Sequence, residues 1–187
     1  IVSYTVTTAN HAYGTSLEKV ENQVKAAVSS QFPNELYPMA GTPYGVQRFP
    51  LLSSFGAPCL PPPWGTLSAI ALDTGKLAWE VPLGNMMISK KGEAGYGETL
   101  GSFNFGGPMV TASGLVFIAG TIDPYFRAYD VATGEKLWQF RLPAPGISSP
   151  MTYAIDGRQV VVIAAGGHGK LKTELSDALV AFHLPVT

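Results

Sequence analysis

From residue 66 onward, short apolar runs alternate with turn residues. The runs are Leu67–Leu72, Leu77–Val81, Pro108–Thr111, Leu115–Ala119, Phe126–Tyr129, Lys136–Arg141, Met151–Ala154, Val160–Ala164 and Ala178–Phe182. Between them stand Asp73-Thr74-Gly75, Ser113-Gly114, Ala132-Thr133-Gly134 and Asp156-Gly157. Runs this short, bounded this way, predict strands rather than helices. Two-residue turns at Ser113-Gly114 and Asp156-Gly157 predict antiparallel hairpins. Residues 84–104, rich in Gly, Lys and Ser, predict a long excursion between strands.

The first 65 residues have a different texture. Val2, Tyr4 and Val6 alternate weakly and predict a strand within residues 1–14. Thr15-Ser16-Leu17-Glu18 has the spacing of a capping box, and Leu17, Val20, Val24 and Val28 follow at helical intervals. The pattern predicts a surface helix over about 16–30, packed on one face and ended before Pro33. Residues 33–65 carry Pro33, Pro38, Pro43, Pro50, Pro58 and Pro61-Pro62-Pro63. Proline lacks the donor a sheet ladder needs, so this stretch is expected to be an extended wrapping loop with no central strand. The expected division is therefore 1–65, with strand, helix and Pro-rich segment, and 66–187, with the regular strands.

One pattern occurs twice. Ala69-Ile70-Ala71-Leu72-Asp73-Thr74-Gly75-Lys76-Leu77-Ala78-Trp79 aligns with Ala128-Tyr129-Asp130-Val131-Ala132-Thr133-Gly134-Glu135-Lys136-Leu137-Trp138, and Ala, Thr, Gly and Trp recur in register. The two tryptophans are 59 residues apart (138 − 79). A repeat of this length predicts stacked or radial units. With strand-dense, antiparallel texture it predicts an all-β, propeller-type fold. A large flat indole at the same place in successive sheets can fill the wedge between them, so both tryptophans are expected to pack blade on blade.

Composition narrows the classes. Only 13% of residues are charged, 46% are apolar, and Gly (21) and Pro (15) are frequent, which suits short buried strands and tight turns rather than helical bundles. The net charge of −1 provides no electrostatic footprint for nucleic acid or acidic lipid. No apolar run reaches the roughly 18 residues of a membrane-spanning helix. The start, Ile1-Val2-Ser3-Tyr4, has neither initiator Met nor signal peptide, as expected of a processed product or a fragment. The single Cys59 forms no internal disulfide and is expected to be a small buried hydrophobe between prolines, with no base placed to activate it.

Ala-x-Asp-x-x-Thr-Gly-x-x-x-Trp resembles the tryptophan-docking motif of quinoprotein dehydrogenases, which use pyrroloquinoline quinone (PQQ). Ala128–Trp138 matches it fully, whereas the first copy has Ala71 in place of Asp, so its turn is expected to lack a side-chain hydrogen bond. Gly41-Thr42-Pro43-Tyr44-Gly45-Val46 and Gly56-Ala57-Pro58-Cys59-Leu60-Pro61-Pro62-Pro63-Trp64-Gly65 resemble the C-terminal region of the membrane-bound glucose dehydrogenase branch. So do Phe105-Gly106-Gly107-Pro108, Gly114-Leu115-Val116-Phe117-Ile118 and Val162-Ile163-Ala164-Ala165-Gly166-Gly167-His168-Gly169. The resemblance covers about 41–185; no motif of residues 1–40 carries it.

The resemblance implies an eight-bladed propeller holding PQQ and a divalent cation, usually calcium, near its axis. It implies a periplasmic enzyme that oxidises alcohol groups of sugars, polyols or cyclic alcohols and passes electrons to ubiquinone, attached to the inner membrane, if at all, through a part outside this chain. In such chemistry the cation polarises a quinone carbonyl, a carboxylate takes the substrate hydroxyl proton and hydride moves to the quinone.

His168 is the leading cofactor-binding candidate. Flanking glycines let the backbone approach a ligand and place the imidazole at a strand end. A lone histidine is more often structural; the motif reverses that preference, because the matching histidine of the resembled branch lies by the quinone and substrate pocket. Gly167 belongs to the same turn. Asn104 and Phe105 precede Gly106-Gly107, where related quinoproteins often carry an aromatic residue near the cofactor edge, although ordinary blade packing also accounts for Phe105. Lys170 and Lys172 are read first as solvated and second as a mouth favouring an anionic substrate. Asp123 and Arg127 flank a strand start and receive no catalytic role; Asp130 fits the repeat's turn. His183 is expected to be exposed, and His11 lies in unmatched sequence.

No segment matches the family's metal-ligand carboxylate and asparagine, its catalytic aspartate or its quinone-contacting lysine. No catalytic or metal residue is therefore assigned, and calcium ligands are expected outside this chain. At roughly 40–50 residues per blade, residues 66–187 make about three blades, an arc with open edges. The chain alone is expected to be incomplete and inactive, and to associate with the remaining blades as a larger chain or parent polypeptide. Two other readings stay open. One is a non-catalytic propeller scaffold for periplasmic protein partners. The other is a fragment that builds a ring from copies of itself, against which the unlike repeats argue.

Overall fold

The computed structural model describes the backbone of residues 2–8, 35–38 and 44–50, and residues 58–86 and 100–184 in full. The expected helix over 16–30, His11 and residues 87–99 of the long excursion lie outside the described residues. Two compact units are present: Ile1–Leu60 with Lys170–Lys172, and Pro61–Gly169 with Thr173–Thr187.

The first unit contains β1 (Val2–Thr8), β2 (Glu35–Pro38) and β3 (Tyr44–Pro50) in an antiparallel sheet of order β1-β3-β2. Val46 pairs with Val6 on one side and Tyr37 on the other, so β3 is central. This corrects the expectation that the Pro-rich stretch holds no central strand. Pro38 and Pro50 end their strands and Pro43 immediately precedes β3. The prolines bound the strands, where a missing donor does little harm, and leave residues 44–49 free of proline. Cys59 is exposed rather than buried, next to half-buried Pro58 and exposed Leu60 at the end of its unit.

The second unit contains three successive antiparallel sheets. The first pairs β4 (Thr66–Ala71) with β5 (Lys76–Pro82). The second has the order β6 (Met109–Val110), β7 (Leu115–Ile118), β8 (Tyr125–Asp130), β9 (Lys136–Arg141). The third has the order β10 (Met151–Ile155), β11 (Arg158–Ala165), β12 (Ala178–His183). All nine expected strands are present. The architecture is all-β, a partial propeller of three sheets. Among the described residues no helix is long and apolar enough to cross a membrane.

The inner strands of the middle sheet, β7 and β8, are covered on both faces, which explains the unbroken apolar run of β7, whereas β9 is exposed along its length. Val116, Ile118 and Tyr129 join Leu67 and Leu83 in a core shared with the first sheet, with Trp79 and Val81 packed against it. Phe126 joins Ala119, Val161, Ile163 and Ala165 in a core shared with the third, with Phe117, Val180 and Phe182 alongside. Side chains alternate along β7, so one strand feeds both cores. Trp138 closes the second core with Phe126 and Phe182 edge-on at 5.9 and 5.3 Å.

The repeat has the same backbone in both copies. Gly75 N donates to Ala71 O (2.7 Å) and Gly134 N to Asp130 O (2.9 Å). A β-bulge follows Ala69 in one copy and Ala128 in the other. The side chains differ at one position: Asp130 Oδ1 accepts from Ala132 N, Thr133 N and Thr133 Oγ1 at 2.9–3.1 Å, bonds that Ala71 cannot make. The first turn does not lack a side-chain bond as expected, because Thr74 Oγ1 accepts from Lys76 N (3.4 Å). The Thr133 amide, then the Ala132 amide and the Thr133 hydroxyl, hold the Asp130 carboxyl below the usual carboxylate range. A depressed folded-state pKa stabilises above the unfolded value of about 3.9, and that contribution is lost as pH falls through the folded value. The stability gap between the protein and its Asp130→Ala variant is thus expected to stay constant from about pH 8 to 5 and to close below about pH 4. Denaturant melts across that range check this; a gap independent of pH would contradict it.

The hairpins depart from expectation once. Asp156 (φ 47°) and Gly157 (φ 75°) make the expected two-residue turn. Between β6 and β7, Thr111 N bonds Leu115 O and Gly114 N bonds Thr111 O, a three-residue loop rather than the expected two-residue Ser113-Gly114 turn. Its left-handed third residue is Gly114, the usual solution for this length.

Candidate functional site

The site lies where the loop after β11 meets the segment that enters β6. Strand β11 ends at Ala165, and Gly166–Gly169 carries His168 beyond it. Gly167 N donates to Pro145 O (2.9 Å) and Ser176 N to Gly166 O (3.3 Å), which fixes both flanks of the turn. Gly167 has φ +68°, and a Cβ there would collide with the carbonyl oxygen of Glu174, so only glycine fits. On the facing segment, Phe105 N donates to Gly120 O (2.7 Å), and a Cβ on Gly106 would come within 2.5 Å of Ser148 O. These backbone contacts bring Phe105 beside His168, ring centroids 5.4 Å apart and tilted by 36°.

Of the four expected cofactor-binding residues, the fold brings Phe105, Gly167 and His168 together. Asn104 is exposed and bridges Thr121 through its backbone; its Nδ2 lies 2.9 Å from where a Cβ on Gly65 would sit. Lys170 and Lys172 are exposed. His183 is exposed on β12, its Nδ1 2.8 Å from Leu184 O.

Two features of the turn bear on ligand binding. His168 Nδ1 is buried with no hydrogen-bond partner among the described residues, the one side-chain atom there of which this is true. Phe105 is half exposed beside it. A buried imidazole nitrogen next to an open aromatic face fits a flat, polar-edged group such as a quinone, which would satisfy the nitrogen and cover the ring. No comparable case exists for a cation. Among the described residues no group of three or more His, Cys, Asp or Glu is placed to hold a metal ion.

Sequence reasoning passed over a buried polar network. Asp123 and Arg127 are 2% and 4% exposed, with Arg127 Nη2 2.7 Å from Asp123 Oδ2. The same Asp123 oxygen accepts from Asn85 N (2.7 Å), and Oδ1 accepts from Thr121 Oγ1 (3.0 Å) and Tyr125 N (3.2 Å). Arg127 Nη1 donates to Tyr125 O at 3.1 Å. The network ties the chain leaving the first sheet to the start of β8. Burial pushes the nearby Tyr129 phenol up, Arg127 opposes that and Asp123 adds to it. The available signal was an Asp and an Arg at even spacing inside an apolar segment of a chain poor in charge. Thr173, which bonds the His168 backbone, had no such signal.

Comparison with known proteins agrees with this architecture. The PQQ glucose/ethanol/alcohol dehydrogenase β-propeller domain matches residues 2–161, and so takes in residues 2–40, which carry no motif of the resemblance. The chain is 44% identical over 165 residues to the quinoprotein glucose dehydrogenase of Escherichia coli, covering 87% of this chain and 21% of that protein. It is 39% identical over 165 residues to quinoprotein glucose dehydrogenase A of Acinetobacter calcoaceticus (88% and 21%). With a probable quinate dehydrogenase (quinone) of Xanthomonas campestris pv. juglandis it shares 45% identity over 154 residues (79% and 19%). The chain thus spans about a fifth of the length of these relatives. It belongs to the glucose/ethanol/alcohol dehydrogenase β-propeller family of PQQ proteins.

Proposed function

We propose that this chain works as part of a larger PQQ-dependent dehydrogenase that oxidises hydroxyl groups of sugars, polyols or cyclic alcohols. The observation that carries the reading is the buried, unpartnered His168 Nδ1 beside Phe105 on a glycine turn. When bound, PQQ accepts the two electrons released as a substrate CH–OH becomes C=O. His168 offers a ring nitrogen to a polar edge of that group, Phe105 covers an apolar part of it, and Gly167 keeps the backbone close. The carboxylate that takes the substrate proton, and the calcium ligands, belong to other parts of the protein. Ubiquinone is the proposed electron acceptor and the periplasm the proposed compartment. The likeness to quinoprotein glucose dehydrogenases supports this reading.

One feature supports a larger propeller. The far face of the third sheet is apolar and open: Met151 and Ile155 are 56% exposed and Leu179 72%. The remaining blades would cover that face.

Spectral titration with PQQ and Ca²⁺, on this chain alone and on the full polypeptide that carries it, tests the reading. Saturable binding is expected to the full polypeptide, weakened about tenfold or more in His168→Ala, in line with loss of a charge-assisted or buried hydrogen bond. Absence of quinone binding in both preparations would overturn it in favour of a scaffold.

A further inference from the structure

We infer that Thr173 is the positioning residue of His168: its side chain closes the loop that sets the imidazole against Phe105. The inference rests on the proposal that His168 faces the quinone. Thr173 Oγ1 accepts the His168 amide N–H at 2.7 Å, and Thr173 N donates to His168 O at 3.4 Å. One residue thereby holds both backbone polar groups of the histidine. The hydroxyl is itself oriented, since Thr173 Oγ1 donates to Glu174 O at 3.2 Å. Glu174 O is the carbonyl that faces Gly167, so the clamp and the glycine meet at one point.

The ring depends on this clamp because few contacts hold its side chain. His168 Nδ1 has no hydrogen-bond partner among the described residues, and the ring contact with Phe105 is tilted and only partly buried. The His168 backbone therefore decides where the imidazole sits, and between His168 and the next regular strand only Thr173 bonds that backbone among the described residues. A hydroxyl is required because valine, of the same shape, can neither accept the amide nor donate to Glu174 O.

The test uses Thr173→Val, Thr173→Ser and His168→Gln in the full polypeptide, with PQQ titration, steady-state rates and amide hydrogen exchange. Thr173→Val is expected to weaken PQQ binding and lower kcat/KM by about 10- to 100-fold, as loss of positioning does. Thr173→Ser is expected to stay within about threefold of the parent, because it keeps the hydroxyl. In the His168→Gln background, Thr173→Val should add less than about twofold, because the two residues act as one unit. An equal loss in both backgrounds would overturn the inference, as would a Thr173→Val variant that is less stable but binds PQQ normally. Should Thr173→Val fail to fold, Thr173→Ala takes its place in the same comparison. A silent His168→Gln would sink the quinone role and not the clamp, which exchange reads separately. The His168 amide should exchange at least about tenfold faster in Thr173→Val while the Gly167 amide, bonded to Pro145 O, does not. Unchanged exchange at His168 would overturn the clamp.

Discussion

Asp123→Ala is expected to cost about 3–5 kcal/mol of folding stability, the usual loss when one partner of a buried ion pair is removed. Arg127, 4% exposed, would keep its charge with no carboxylate beside it. The Asn85 and Tyr125 amides and the Thr121 hydroxyl would lose their acceptor at the same time. Arg127→Met should cost distinctly less, because Asp123 keeps three donors that stabilise its charge whereas Arg127 pairs with no second carboxylate among the described residues. The double variant should remain less stable than the parent for the same reason: apolar replacement satisfies neither amide. Urea denaturation of the three variants measures this. Equal losses for Asp123→Ala and Arg127→Met would mean that the backbone donors contribute little.

The second large effect concerns Trp79. Its Nε1 donates to Val131 O at 2.9 Å, and its ring lies on Gly134, where a Cβ would come within 2.7 Å of Cδ2 and Cε3. The indole of one sheet thus docks on the Thr-Gly turn of the next. Trp79→Ala is expected to cost roughly 2–4 kcal/mol, a little under the loss for a fully buried aromatic because Trp79 is partly exposed. Trp79→Phe, which keeps a ring and loses the donor, should cost about 0.5–1.5 kcal/mol. Gly134→Ala should destabilise through two causes at once, the φ of +73° and the collision with the indole. Its effect should shrink in the Trp79→Ala background to the strain at φ > 0, about 1–2 kcal/mol. Fully additive losses would show that the ring and the turn are not in contact.

These two cases mark what the sequence could and could not disclose. Every strand after residue 66 was legible, because apolar runs and turn residues act locally. The repeat also announced that Trp79 packs between sheets. It could not say on what, since Val131 is 52 residues away. The prolines misled for a related reason: Pro38, Pro43 and Pro50 are read as breaking strands until pairing shows that they bound them. Asp123, Tyr125 and Arg127 fall on one face by period two, yet only the packed sheets reveal that this face is dry. At the candidate site, the glycines around His168 marked the turn and Gly106-Gly107 marked Phe105, but that the two meet across 63 positions (168 − 105) shows only in the folded chain. Thr173 is invisible in the same way, an ordinary threonine until its hydroxyl is found on the histidine amide.

The docking of Trp79 has a direction in time. The turn that receives it is complete without it, held by Asp130 and its own backbone bonds. The indole, in contrast, has nowhere to go until Val131 and Gly134 exist. A ribosome adding about 5–20 residues each second needs roughly 3–10 seconds to make those 52 residues. For that interval the nascent first sheet presents Trp79 without the turn that receives it. The docking thus sets a vulnerable period during synthesis, when a chaperone or the arrival of the next sheet must cover it.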